Sequence, residues 1–202
     1  MTTASPANRI VLATGNRGKL REMQQVLGPL GLDVVAQGDF QVPDADETGL
    51  SFVENAIIKA RNAALHTGLP AIADDSGLEV DALDGAPGIH SARYAGPGAT
   101  DADNNTKLLA ELAARGIRDA TARFQCVLVF MRHANDPVPL IARGSWEGRI
   151  LASARGDGGF GYDPLFFVPE EGCTSAELGA ERKNLLSHRG QALVKLAALL
   201  QR

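Results

Sequence analysis

The start of the chain passes directly from a short apolar strand through a glycine-rich turn into a helix. Residues Arg9 to Thr14 are mostly apolar and predict a buried strand, and Gly15 to Lys19 form the turn. Leu20, Met23 and Leu27 then recur at helical spacing. Leu32 to Ala36 predicts a second strand, so the unit resembles βαβ. This pattern favours the α/β class.

The rest of the chain continues this mixture of helices and strands. The further segments that we predict are a helix over Ser51 to His66, a brief strand over Pro70 to Ala73, a helix over Ala102 to Arg115, strands over Ala122 to Phe130, Val138 to Trp146 and Pro164 to Val168, and helices over Ala176 to Leu186 and Ser187 to Leu200. The segment from Leu83 to Ala99 is predicted to be a loop. Because the two middle strands are separated by Asn135-Asp-Pro137, they predict an antiparallel hairpin, and the sheet is therefore expected to be mixed.

Helix starts are marked by capping signals. Ser51 with Glu54, and Thr174 with Glu177, have the spacing of a capping box, and Gly68 is a stop signal for the long helix. Ser187 is a good N-cap for the last helix.

Length, charge and cysteine content restrict the class of protein. The 202 residues, 45% of them hydrophobic, predict one domain over residues 9–201 after a flexible leader over residues 1–8. No apolar stretch approaches the ~20 residues of a membrane span, and no secretion signal is visible, so we expect a cytoplasmic protein. Cys126 and Cys173 cannot form a disulfide framework. A net charge of -4 disfavours a protein that coats nucleic acid.

The turn between the first strand and helix has the character of an anion-binding loop. Glycines allow a ligand to approach the backbone, the helix start offers N–H groups, and Lys19 adds a positive charge. The loop is not a standard P-loop, because two residues instead of four separate its glycines and Leu20 replaces the hydroxyl residue that would reach Mg²⁺. A metal would therefore have to be held elsewhere. The alternative is an ordinary tight turn.

Three acidic residues are the candidate metal ligands. Glu47 precedes the long helix, and Asp74 and Asp75 follow a brief apolar run. Mg²⁺ needs only one or two carboxylates besides substrate phosphates, and adjacent acids repel each other unless a cation offsets them. The spacing alone does not separate Asp74 from Asp75, and each of the three could simply be solvated.

Two segments near the end of the chain could contact a ligand. His188 and Arg189 fall in the first turn of the last helix, where the helix dipole disfavours cations, which suggests a bound anion or hydrogen-bonding ligand. The alternative is that both side chains point into water. Phe160, between glycines, could stack on a nucleobase, and Asp163 could accept a hydrogen bond from a sugar or a base. For Tyr162, packing into the core is at least as good an interpretation.

In their order, these segments resemble the non-canonical purine nucleoside triphosphate pyrophosphatase family, also called the inosine triphosphate pyrophosphatase or Ham1-like family. The resemblance extends from Ile10 to Leu200. It rests on the segments Ala13-Thr-Gly-Asn-Arg-Gly-Lys19, Glu47-Thr-Gly-Leu-Ser-Phe52 with Glu54-Asn-Ala56, Ala73-Asp-Asp-Ser-Gly77, Pro87-Gly88, Ser91-Ala-Arg-Tyr-Ala-Gly96, Gly159-Phe-Gly-Tyr-Asp-Pro164 and Ser187-His-Arg-Gly-Gln191.

The resemblance implies a fold, a reaction and a set of site residues. It implies a two-lobed α/β fold in which a mixed sheet is flanked by helices and the active-site cleft lies between the lobes. It also implies a homodimer that hydrolyses ITP, dITP, XTP and dXTP to monophosphate and pyrophosphate, which removes them from the nucleotide pool. Asp75 would bind Mg²⁺ and act as general base, with help from Glu47 at the metal. The implied substrate contacts are Thr14, Gly15, Asn16, Arg17, Gly18, Lys19, Lys59, Ser76, Phe160, Gly161, Tyr162, Asp163, Lys183, His188 and Arg189.

Three other functions are weighed against this one. A related pyrophosphatase could act on modified pyrimidine or methylated nucleotides. A nucleotide-binding regulator without turnover would be expected to lack a metal carboxylate, whereas Glu47 and Asp75 are both present. An RNA-binding module is disfavoured by the acidic balance and the absence of a basic stripe.

Overall fold

The strands form a mixed seven-stranded sheet. The structure is a computed structural model and describes residues 8–201, so most of the leader expected over residues 1–8 lies outside the described residues. The strands are β1 (Arg9–Leu12), β2 (Asp33–Ala36), β3 (Ala71–Val80), β4 (Asp119–Met131), β5 (Leu140–Leu151), β6 (Phe166–Val168) and β7 (Cys173–Thr174). Their order is β2-β1-β3-β4-β5-β6-β7. β1 is parallel to β2 and β3, whereas β6 is antiparallel to β5 and β7, which confirms the mixed α/β sheet.

Five α-helices accompany the sheet in the described part of the chain. They are α1 (Arg17–Leu27), α2 (Phe52–Thr67), α3 (Asp101–Ala114), α4 (Ala180–Leu186) and α5 (His188–Leu200). Each predicted helix is present within a few residues of its expected bounds except the fourth. None of the helices in residues 8–201 combines the length and apolar character needed to cross a bilayer.

The chain divides into two compact units. The first unit contains the described residues up to Asp75, Val127–Arg143 and the described residues from Ala192 onward, and the second contains Ser76–Cys126 and Gly144–Gln191. In the first unit, α2 packs small side chains into the core beside residues of β1, β3 and β4. The buried alanines of that core are Ala13, Ala56, Ala60, Ala63, Ala64, Ala71 and Ala73. Because alanines add little bulk, they let helix and sheet backbones pack closely.

The second unit has an aromatic core. Phe124 lies 4.5 Å from Phe166 and 6.5 Å from Trp146, measured between ring centroids. Leu108 and Leu112 of α3 are buried in the same cluster, and their spacing of four residues places them on one face of the helix. This core fixes the segments that carry the aromatic and basic candidate residues of the second unit.

Three predicted boundaries are wrong. β3 continues through Asp74 and Asp75 to Val80 instead of ending before them, because each carboxylate pairs with a lysine and so can remain within the strand. β5 starts at Leu140 and runs on to Leu151 instead of covering Val138 to Trp146. The fourth helix starts at Ala180, because the capping box of Thr174 and Glu177 caps only a short 3₁₀ turn.

The segment predicted as a loop after β3 contains local structure. Asp81–Leu83 and Gly88–Arg93 form 3₁₀ turns. Ser91 joins the second turn to β3, because its hydroxyl accepts a hydrogen bond from the backbone of Leu78 at 2.9 Å. The glycine and proline residues of this segment predicted a loop, and such short turns have no sequence pattern of their own.

Candidate functional site

The glycine loop of the first unit is held by its own asparagine. The side chain of Asn16 accepts hydrogen bonds from the backbone of Gly18 at 2.8 Å and of Lys19 at 3.2 Å, so it caps α1. The backbone of Asn16 donates to the hydroxyl of Thr14 at 3.2 Å. The loop is therefore ordered as a capped helix start, and two of the N–H groups that could face an anion are bonded to Asn16.

The two adjacent acids of β3 have different lysine partners. Asp74 accepts a hydrogen bond from Nζ of Lys19 at 2.8 Å, and its side chain is only 1% exposed. Asp75 accepts one from Nζ of Lys59 at 2.6 Å. Successive residues of a strand face opposite ways, which explains why neighbouring carboxylates meet different cations. The structure thus separates two acids that the sequence spacing could not.

Lys59 lies between two carboxylates. Its Nζ is 2.6 Å from Asp75 and 3.2 Å from Glu47. Burial raises the pKa of Asp75 above its usual value even though Lys59 opposes this effect. Burial alone would lower the pKa of Lys59, but the carboxylates of Asp75, Asp74 and Glu47 together raise it. This arrangement favours the charged form of Lys59.

Glu47 is oriented by a turn that is bonded to the first residues of α2. The backbone of Gly49 donates to Oδ1 of Asn55 at 2.9 Å, and the backbone of Leu50 donates to Glu54 at 3.0 Å. A side chain at Gly49 would place its Cβ 2.6 Å from Cβ of Glu54 and 2.7 Å from Oδ1 of Asn55. Position 49 therefore requires glycine. Asn55, which is buried on α2, was not among the predicted site residues.

A cavity of about 340 Å³ in the first unit is lined by Glu47, Lys59 and Asp74, whereas Asp75 is not among its lining residues. Its polar lining comprises Thr14, Gly15, Lys19, Gln37, Asp44, Glu47, Lys59 and Asp74. Gln37 and Asp44 were not predicted, and Asp44 accepts a hydrogen bond from Gln37 at 3.3 Å. The cavity combines part of the glycine loop, two ammonium groups and several carboxylates, so it can bind phosphate oxygens together with a cation.

The carboxylates fit a hard divalent cation. Among residues 8–201 there is no cluster of three or more His, Cys, Asp or Glu side chains arranged around a metal position. Glu47 and Asp75 nevertheless meet at one positive charge, that of Lys59. Two carboxylates suffice for Mg²⁺ when substrate phosphates and water complete the coordination.

In the second unit, Phe160 presents its ring to solvent beside two cations. The side chain is 55% exposed. Nζ of Lys183 lies 5.2 Å from the ring centroid and Cζ of Arg189 lies 5.9 Å from it. An exposed ring with hydrogen-bond donors at its border is a suitable surface for a flat polar ligand.

Asp163 connects this loop to its surroundings. One carboxylate oxygen accepts hydrogen bonds from the backbone of Phe160 at 2.8 Å and from Lys183, and the other accepts from Ser175 at 2.8 Å. Its side chain is 5% exposed. Asp163 is thus committed to bonds within the protein, and Ser175 is a partner that sequence analysis missed.

The remaining predicted side chains of the second unit are buried or half-buried. Tyr162 is buried, and its hydroxyl donates to the backbone of Ser91 at 2.8 Å, in agreement with the core interpretation. Arg189 is 5% exposed and His188 stacks on Phe124 at 4.9 Å. The alternative that both side chains point into water is therefore wrong. Ser76 follows Asp75 on β3 and is half-buried.

The start of α5 follows the sequence prediction. The hydroxyl of Ser187 accepts a hydrogen bond from the backbone of Gly190 at 3.1 Å, so Ser187 caps the helix. This cap places His188 and Arg189 in the first turn, one stacked on the aromatic core and the other beside Phe160.

Comparisons with known proteins agree on one family. The sequence model of the Ham1 family matches residues 10–199. A dITP/XTP pyrophosphatase of Photobacterium profundum is 62% identical over 194 residues, which are 96% of this chain and 98% of that protein. One from Vibrio vulnificus is 63% identical and covers 96% of both chains. The structure of a HAM1 protein from Coxiella burnetii superimposes with a TM-score of 0.92 at 54% identity, covering 96% of this chain and 98% of that one.

Proposed function

Because this chain belongs to the Ham1 family, we propose that it is a hydrolase that converts non-canonical purine nucleoside triphosphates to monophosphate and pyrophosphate. Its substrates would be ITP, dITP, XTP and dXTP, and its role would be to remove them from the nucleotide pool. The relatives named dITP/XTP pyrophosphatase support this substrate class. The observation that carries the proposal is the meeting of Glu47 and Asp75 at one cation beside the glycine loop.

The first unit would bind the triphosphate and the metal. Glu47 and Asp75 would hold Mg²⁺, whose positive charge would offset the negative charge of the triphosphate in the transition state. Thr14 to Lys19 would contact phosphate oxygens through the helix start and the ammonium group of Lys19. Lys59 pairs with both carboxylates, so its ammonium group would compete with Mg²⁺ for them and would also lie near the phosphates.

Asp75 would also act on the attacking water. Its raised pKa makes its carboxylate a better proton acceptor than an ordinary aspartate. A water oriented by this carboxylate would attack the α-phosphorus, and pyrophosphate would leave. Positioning and charge would provide most of the rate.

The second unit would recognise the base. Phe160 would stack on the purine, and Lys183, Arg189 or His188 would donate hydrogen bonds to the 6-keto oxygen of hypoxanthine or xanthine. The 6-amino group of adenine would leave these donors unpaired, which is a strong basis for rejection. Guanine shares the 6-keto oxygen, so its exclusion would require crowding or an unmatched amine at position 2.

The decisive experiment is a substrate panel. ITP, dITP, XTP, GTP and ATP are incubated with the protein and Mg²⁺, and pyrophosphate and orthophosphate are measured separately. We expect rapid release of pyrophosphate from ITP and XTP, little turnover of ATP, and loss of turnover with EDTA. Orthophosphate as the first product would refute the proposed cleavage site.

A pair of variants tests the role of Asp75. Asp75→Asn should abolish turnover and leave the fold intact, whereas Asp33→Asn, which changes an exposed carboxylate paired with Arg9, should retain it. Near-normal activity of Asp75→Asn would remove Asp75 from the reaction.

The proposal extends to assembly and location. Residues 9–201 would act as one catalytic domain, the protein would be a homodimer, and it would work in the cytoplasm. The family resemblance supports all three statements. Light scattering after size-exclusion chromatography tests the dimer, and a mass equal to one chain would contradict it.

A further inference from the structure

Two side chains of α3 hold the backbone of Gly161, next to the exposed ring of Phe160. The backbone N–H of Gly161 donates to Oδ2 of Asp101 at 2.6 Å, and the backbone carbonyl of Gly161 accepts from Nδ2 of Asn105 at 2.9 Å. Asp101 and Asn105 are four residues apart and therefore lie on one face of the helix. We call this pair the Gly161 clamp.

The loop that carries Phe160 needs external support. Its neighbours Gly159 and Gly161 both have positive φ angles, 78° and 61°, a region that glycine occupies readily. Phe160 is more than half exposed, so core packing does not fix the direction of its ring. Besides the two cations next to the ring, its direction depends on the backbone, which Asp163 holds at residue 160 and the clamp holds at residue 161.

Neither member of the clamp is explained by the needs of α3 itself. The start of α3 is already satisfied by a capping box between Thr100 and Asp103, so Asp101 is not required as a cap. Oδ1 of Asn105 is buried, and none of the described residues donates a hydrogen bond to it. A buried acceptor without a partner is destabilising, so Asn105 is better explained by the bond that its other amide atom makes to Gly161.

We propose that Asp101 and Asn105 are positioning residues that orient Phe160 for stacking on the base and so determine the affinity for the nucleoside part of the substrate. This inference rests on the proposed function. The clamp touches only backbone, so it acts through Phe160. Its removal should weaken binding of the base without altering the groups of the first unit.

The test compares Asp101→Ala and Asn105→Ala with Asp101→Asn, which retains an acceptor for the N–H of Gly161. We expect the KM for ITP to rise about tenfold in each alanine variant, corresponding to the loss of one backbone hydrogen bond and some loop order, with kcat within about twofold. Asp101→Asn should remain close to the wild type. The control is Thr106→Ala, because Thr106 lies on the same helix and its hydroxyl donates a hydrogen bond to the backbone carbonyl of Ala102 within that helix.

Two further measurements separate positioning from general damage. Inorganic tripolyphosphate has no base, so its inhibition constant should be unchanged in the clamp variants. In a Phe160→Ala background, removal of the clamp should change the KM for ITP by less than about twofold, because the ring through which it acts is gone.

Three results would overturn the inference. They are an unchanged KM in both alanine variants, an inhibition constant for tripolyphosphate that rises as much as the KM, and a full effect of the clamp in the absence of the Phe160 ring. If Asn105→Ala does not fold, Asp101→Ala and Asp101→Asn decide the question. If the wild type hydrolyses ITP and the clamp variants have the same KM, the positioning role of the Gly161 clamp alone is overturned. If the wild type does not hydrolyse ITP, the proposed function and the role of the clamp are overturned together.

Discussion

Gly49→Ala is expected to damage the first unit through a single methyl group. The new Cβ would lie 2.6 Å from Cβ of Glu54, 2.7 Å from Oδ1 of Asn55 and 3.0 Å from the backbone N of Asn55. Normal carbon contacts are about 3.5 to 4.0 Å, so the turn must move away from α2. Gly49 does not have a positive φ angle, so the cost comes from this overlap and not from backbone strain.

The magnitude follows from two contributions. Overpacking costs about 1–3 kcal/mol. A shifted turn also breaks the hydrogen bond from Gly49 to Asn55, and the loss of this partner for the buried side-chain amide of Asn55 costs about 1–3 kcal/mol. Because movement relieves part of the overlap, we expect a total of about 2–4 kcal/mol. For a chain of this length, that corresponds to a decrease in Tm of about 5 to 15 °C.

The same movement should displace Glu47, two residues earlier. Changes in the residues that orient a metal ligand typically weaken metal binding about 10- to 100-fold, so the Mg²⁺ concentration for half-maximal turnover should rise by at least about tenfold. The assays are thermal unfolding and a Mg²⁺ titration of ITP hydrolysis. The control is Gly38→Ala, because nothing lies within 4 Å of a Cβ at that position. A Tm within about 2 °C of the wild type, with an unchanged Mg²⁺ requirement, would refute the reasoning.

Three further variants test other parts of the structure. Lys59→Met removes the ammonium group that, under the proposal, would compete with Mg²⁺ for Glu47 and Asp75, so the increase in Tm on adding Mg²⁺ should exceed that of the wild type by at least about 2 °C; an equal increase would contradict this competition. Phe160→Ala should raise the KM for ITP about tenfold through lost stacking, whereas Phe160→Tyr should not, and steady-state kinetics distinguish them. Hydrogen bonds from Arg132 lower the pKa of Asp136 below its usual 3.8, so this group stabilises the fold above pH 3.8 and loses its effect as the pH falls through the folded-state pKa. Asp136→Asn should therefore lower the Tm at neutral pH by an amount that shrinks in acid, and a difference in Tm independent of pH would refute this assignment.

Local signals predicted most of the fold because they act over a few residues. Ser51 caps α2 as its spacing with Glu54 indicated, since a hydroxyl and a carboxylate three residues apart satisfy the same helix start. Ser187 caps α5 through its hydroxyl, as was also predicted. The parallel pairing of β1 and β2 likewise follows from the short strand, turn and helix between them.

Among the element boundaries that were predicted wrongly are those of β3 and of the fourth helix. Asp74 and Asp75 interrupt the apolar pattern and so indicated the end of β3, but their lysine partners come from α1 and α2, many residues away. The fourth helix was predicted too early, because the capping box of Thr174 is also satisfied by a single 3₁₀ turn.

Many residues of the candidate site could be predicted from the sequence, but most of their contacts could not. Glu47 and Asp75 were identified by residue type, whereas their common contact with Lys59 depends on the packing of α2. Asp101 and Asn105 bind the backbone of Gly161, which lies 60 and 56 residues later in the chain. No short-range pattern reveals such contacts.

The carboxylates around Lys59 and Lys19 have a consequence for what the first unit accepts. Two ammonium groups face three carboxylates, those of Glu47, Asp74 and Asp75. A bare triphosphate would meet the repulsion of the acids, and a bare divalent ion would have to displace lysines that are already paired. A metal and a triphosphate that arrive as one complex satisfy both sets of charges together. The rate of hydrolysis should therefore follow the concentration of that complex and not the concentration of either free component.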